Sequence, residues 1–173
     1  MKYHILLRLV HWLMAMCIIG LIIAGWYMTG LAPEDESRPD FYHFHKSFGV
    51  LLLFLFIVRI LLRIFTKIPA LPETIRPVEK KLSHIAHIFL YTLMLTVPVI
   101  GYIFSNSGGY DVPLFSIKMP SITDKNKELF DLARQAHWIS AYILSGILLL
   151  HITAVIKHRF FEPAENNVIR RMT

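Results

Sequence analysis

Imidazole is the side chain whose number and spacing in this sequence suit metal chemistry. The 173 residues include nine histidines but a single cysteine, Cys17. One cysteine excludes an internal disulfide framework and any zinc site built from two or more thiolates. His137 and His151 are 14 residues apart. On a helix that separation is about 21 Å along the axis and returns to within about 40° of the same face. One helix thus presents one imidazole at each of two levels, both toward the same neighbours. Second imidazoles stand at both levels: His43 and His45 at one, and His11, His84 and His87 at the other. A haem with two histidine axial ligands needs one such pair per iron. Spacing alone leaves His43 and His45 open at the first level, and His11, His84 and His87 open at the second.

The elements that must position these rings are apolar. Hydrophobic residues make up 55% of the chain and charged residues 17%, with a mean hydropathy of +0.52. A soluble domain of this length leaves too much surface wet to hide that excess, and a disordered chain has far less of it. Four stretches reach the roughly 20 apolar residues that cross a bilayer: 5–28, 43–65, 82–104 and 135–156, none of which contains Asp or Glu. The sequence therefore predicts an all-α membrane protein, a four-transmembrane-helix bundle formed by residues 1–173 as one unit. The first stretch starts with Lys2 and Arg8 but runs to Trp26, Tyr27 and Met28 without a small-residue cleavage site, so it reads as a retained helix. Lys and Arg on the N-terminus, the second connection and the tail number ten, against five on the other connections. That asymmetry places both termini of the multi-pass chain in the cytoplasm. The long third connection, 105–134, is expected to be partly ordered on the outer surface, and the polar tail from Glu162 to form a short cytoplasmic extension. His4 and His158 read as solvated or headgroup-facing boundary residues. Pro98 and Gly101 inside the third span read as a kink or a close approach between helices.

Other metal chemistries fit less well. Di-iron sites in helical bundles are built from carboxylates, and the spans have none. A zinc site drawing on His11, His84, His87 and His151 is the remaining metal alternative. Arg59 lies deep in the second span, 14 residues after His45 and so on nearly the same face. An ionisable residue at that depth needs a partner. A haem propionate or a quinone pocket would supply one, and snorkelling to the surface is the bland alternative. His84 and His87, three residues apart, are read as sharing a face, where they would bond a quinone carbonyl or a propionate. No Cys-x-x-Cys-His motif exists, so any haem is held noncovalently. Gly108–Gly109 is a turn signal rather than a nucleotide-binding loop, and no nucleic-acid partner is expected.

The motifs together resemble the bacterial cytochrome b561 family over essentially the whole chain. They are His11-Trp12, His45-Lys-Ser-Phe-Gly49, the Arg59–Arg63 pair, His84-Ile-Ala-His87, Pro98-Val-Ile-Gly101, and His137 with His151. The resemblance implies a four-helix membrane cytochrome with two noncovalent haem b groups, one held by His11 and His151 and the other by His45 and His137. It also implies electron transfer between a periplasmic donor and ubiquinone in the lipid bilayer. Stand-alone members of similar size resemble superoxide oxidases, which oxidise superoxide to O₂ and reduce ubiquinone. On that reading Lys46 and Arg134, beside the outer histidines, attract the superoxide anion. The outer side carries eight acids against six bases, Lys46 included, so any attraction is local. The alternative is a non-catalytic electron conduit that docks a periplasmic redox partner.

Overall fold

The computed structural model describes residues 2–173. Four long helices dominate it: α1 (Ile5–Gly30), α2 (Arg38–Phe65), α3 (Pro77–Ser107) and α4 (Lys127–Phe160). Each is long and apolar enough to cross a membrane. Their large apolar side chains mostly face outward; Ile64 is 68% exposed and Leu150 is 68% exposed. That pattern suits lipid as the surrounding solvent, because water would not tolerate so large an apolar surface.

The helices overrun the expected spans because hydropathy marks where lipid lies, not where a helix stops. Pro39 and Pro77 occupy the first turns of α2 and α3, positions that suit a residue with a fixed φ and no N–H. Asn126 caps α4 by accepting from the Leu129 amide at 3.0 Å. The third connection therefore shrinks from the expected 105–134 to 108–126, and Arg134 lies on α4. Within that connection a two-stranded hairpin pairs Pro113–Leu114 (β1) with Ile117–Lys118 (β2). Its turn holds Phe115 at φ 53°, an uncommon conformation for a non-glycine residue. The Phe115 amide donates to the Ser47 hydroxyl at 3.0 Å, and Ser47 is fully buried. The hairpin is thereby pinned to α2 two residues beyond His45.

α1 packs on α2, α2 on α3 and α3 on α4. Between α1 and α4, Trp26 meets Tyr142 with ring centroids 6.3 Å apart. Met14 and Ile18 of α1, Leu52 and Phe56 of α2, Leu90, Leu93, Met94 and Val97 of α3, and Leu144 of α4 form the central core.

The tail folds back instead of extending. Two 3₁₀ turns, Ala164–Asn166 and Ile169–Arg171, follow α4. The Trp12 indole donates to the Met172 carbonyl at 2.8 Å, and the Tyr3 amide to the Arg171 carbonyl at 3.0 Å. Arg171 in turn donates to the carbonyls of Pro69 and Ala70. The tail thus ties α1 to the second connection, and both termini share one end of the bundle. The hairpin occupies the other end.

Candidate haem-binding site

At the hairpin end, α2 and α4 bring His45 and His137 together edge-on, with ring centroids 6.3 Å apart and planes at 83°. His43, which spacing could not separate from His45, is exposed and lines an outer cavity instead. His137 Nδ1 lies 3.0 Å from the Val97 carbonyl. A carbonyl only accepts, so Nδ1 carries the proton and Nε2 presents its lone pair, the form that ligates a metal. His45 Nδ1 is buried and has no hydrogen-bond partner. Buried polar atoms are rarely left unpaired.

Two glycines make room for these rings. A Cβ on Gly101 would lie 2.9 Å from His137 Cε1, and one on Gly25 would lie 3.4 Å from His45 Cε1. The Gly101 contact is closer than carbon atoms approach, so α3 comes as near as it does only because no side chain intervenes. Gly101 is thus the close approach expected from the sequence, made to a site residue. Phe104 stacks against His137 at 6.4 Å, Phe130 packs on Phe104 at 5.0 Å, and the Arg134 guanidinium lies 5.9 Å from the Phe130 ring. Arg134 therefore reaches the histidine level through two aromatic rings.

Lys46 donates from Nζ to the Asp111 carbonyl at 3.1 Å and lies over the Tyr110 ring at 5.3 Å. Lys118 pairs with the Asp111 carboxylate at 2.9 Å. Lys46, Lys118, His43 and Tyr42 line an open cavity of about 470 Å³ beneath the hairpin. Lys46 and Lys118 are thus tethered around one opening.

Nearer the termini, His87 of α3 and His151 of α4 lie with centroids 5.5 Å apart. His87 Nδ1 is 2.6 Å from the Ser83 carbonyl, which again assigns the proton to Nδ1 and frees Nε2. His11 and the Arg59 guanidinium stand within electrostatic reach of both His87 and His151. Arg59 donates from Nε to the Tyr91 hydroxyl at 3.2 Å, while its NH1 is buried without a partner. His84, one turn before His87, is exposed and stands within electrostatic reach of His87. His158 is not a headgroup residue. Its Nδ1 lies 2.7 Å from Glu162, whose other oxygen pairs with Lys157.

Among the described residues, one set of three ligand atoms lies within 4.8 Å of one another: Glu79, His158 and Glu162. Lys157 already bridges Glu79 and Glu162, so this is an ion-pair network. Among the described residues, His11, His84, His87 and His151 do not converge in that way.

The donor set fits haem. At each of two histidine levels, about 21 Å apart along α4, one ring has Nδ1 on a backbone carbonyl and Nε2 free: His137 at one and His87 at the other. Glycine keeps space for the rings at the His137 level, and the buried Arg59 NH1 at the other level suits an anion. Tyr91, Val97, Ser83 and Gly25 escaped the sequence reading. Tyr91 and Ser83 had a signal there, as hydroxyls within an apolar span.

Comparison with known proteins agrees with these features. The family model described as prokaryotic cytochrome b561 matches residues 2–173. Cytochrome b561 homolog 2 of Escherichia coli (strain K12) is 24% identical over 172 residues, covering 99% of this chain and 90% of that protein. Probable superoxide oxidase CybB of Yersinia pestis is 27% identical over 174 residues, covering 99% and 96%.

Proposed function

Because the chain belongs to the prokaryotic cytochrome b561 family, multi-pass bacterial membrane proteins of electron transport that bind haem b, we propose that it is a superoxide:ubiquinone oxidoreductase with two haems. It sits in the inner membrane with its termini in the cytoplasm and the hairpin in the periplasm. The observation that carries this reading is the His45–His137 pair, centroids 6.3 Å apart, at the end of the bundle where Lys46, the residue after His45, and Lys118 line an opening. When bound, haem supplies reversible one-electron oxidation and reduction, and two histidine ligands leave no iron position for O₂.

His45 and His137 hold the periplasmic-side group, with His137 oriented by Val97. His11 and His151 hold the other, as the family resemblance implies. A second reading of that level gives His87 the place of His11, since His87 is the ring found 5.5 Å from His151. Lys46, Lys118 and Arg134 raise the local positive potential at an end whose connections are acidic overall, and so draw a small anion inward. Arg59 neutralises a haem carboxylate or bonds a quinone oxygen at the cytoplasmic level. In the overall reaction two superoxide anions each lose one electron to become O₂. One ubiquinone takes the two electrons and two protons to become ubiquinol. The name of the Yersinia relative supports this donor.

Stopped-flow absorbance of the purified protein tests the reading. Superoxide should reduce the haems, added ubiquinone should reoxidise them, and the first step should slow as salt screens the lysines. Reduction no faster than by an uncharged one-electron donor of similar potential, with no salt dependence, would replace the enzyme by an electron conduit serving a periplasmic partner.

A further inference from the structure

Arginine is a pure donor with five N–H groups, and a tyrosine hydroxyl both donates and accepts. In the contact between α2 and α3, Arg59 Nε donates to the Tyr91 oxygen at 3.2 Å. The hydroxyl is the acceptor in that bond, so its own proton is directed elsewhere. Arg59 NH1 is buried and has no acceptor. Tyr91 is held in place from both sides. Phe56 packs against its ring at 6.1 Å. The Arg59 and Arg63 guanidinium carbons, one helical turn apart on α2, lie 5.8 Å and 5.6 Å from its centroid. The result is a pair of donors, one O–H and one charged N–H, at the level of His11, His87 and His151.

We propose that Tyr91 and Arg59 form a two-donor site for an oxygen carrying full or partial negative charge, with Tyr91 also the positioning residue that aims the guanidinium. Leaving a buried charged donor unpaired is costly, whereas pairing it with an oxygen acceptor recovers that cost. A bond from Nε to Tyr91 fixes the plane of the fork, so NH1 keeps one direction instead of folding back toward α2. Two sources share this chemistry within the membrane: the carboxylate of a haem held at the His151 level and a carbonyl oxygen of the quinone. The site rests on the proposed haem and quinone function, and gives it a specific place at the end of the bundle that carries the termini.

The test uses the full-length haem-loaded protein and two variants, Tyr91→Phe and Arg59→Lys. Tyr91→Phe keeps the ring between the arginines and deletes only the hydroxyl. Haem content and superoxide-driven reduction are measured first in the native protein; a failure there overturns the functional reading and not this site. Redox titration of quinone-depleted protein then reports on the carboxylate arm. If a haem carboxylate is the acceptor, one of the two haem potentials shifts in both variants and the other stays put. Steady-state quinone reduction reports on the other arm. If quinone is the acceptor, its KM rises about tenfold, as expected for loss of a charge-assisted hydrogen bond, with both potentials unchanged. Unchanged potentials and unchanged KM in both variants, with both haems present and superoxide oxidation intact, would overturn the proposal.

Discussion

Gly101 owes its place to His137. A methyl group at that position would sit 2.9 Å from the imidazole, so Gly101→Ala forces the ring or α3 to move. Overpacking of this kind costs about 1–3 kcal/mol. Moving the ring also breaks the 3.0 Å bond from His137 to the Val97 carbonyl. We predict that Gly101→Ala folds and keeps the haem at the His151 level while losing most of the haem at the His137 level. Full retention of both would contradict the placement. The sequence showed that His137 and His151 share a face, because helical periodicity fixes that. It could not show what Gly101 touches, since the touching atom lies on another helix. His84 and His87 illustrate the same limit. Three residues apart, they look like neighbours on one face, but the packing of α3 against α4 takes in His87 and leaves His84 outside. The choice between His11 and His87 follows from this geometry and is open to measurement. The proposed pairing predicts that His11→Ala removes one haem and that His87→Ala keeps two. The reverse result would assign the ligand to His87.

The four spans were legible because a run of roughly 20 apolar residues without an acid is long enough to cross a bilayer and too apolar to face water. The helix ends were less so, since Pro39, Pro77 and Asn126 lie in polar flanks where hydropathy carries no information. The tail was read as an extension because it is polar. Its order comes from partners distant in sequence: Thr74 donates to Asn166 at 2.5 Å, and Trp12 reaches Met172. One of its anchors titrates. Hydrogen bonds from Lys157, then His158 and Asn166, hold the Glu162 carboxyl down to about 2 from an ordinary 4.5. A depressed acid contributes stability that is complete above the ordinary value and is lost as pH falls toward the folded one. The tail anchor should therefore be intact at pH 5 and above, and should weaken between about pH 4.5 and 2. Hydrogen exchange read on peptides spanning residues 2–12 and 161–173 should show protection falling across that window before the helices lose theirs. Protection lost well above pH 5 would show that Glu162 is not the anchor. In Glu162→Gln the acid step should vanish.

At the scale of the whole molecule, four antiparallel helices place two imidazole levels along one shared face and separate them with an apolar core of Met14, Ile18, Leu52, Phe56 and Leu144 among others. That core keeps water from the space between the levels, and the hairpin and the tail close the two ends. Periodicity along α4 already implied two levels, and the family resemblance implied the pairing across helices; spacing alone left His43 and His45 open, and in the fold His45 is the ring that meets His137. The central claim is that each level holds one haem through its histidine on α4. Pyridine haemochrome quantitation on the purified protein and on His137→Ala and His151→Ala tests it most directly. The account predicts two haem b per chain in the native protein, one in each single variant, and none when both histidines are replaced. One haem or none per native chain, or two retained in either single variant, would contradict it.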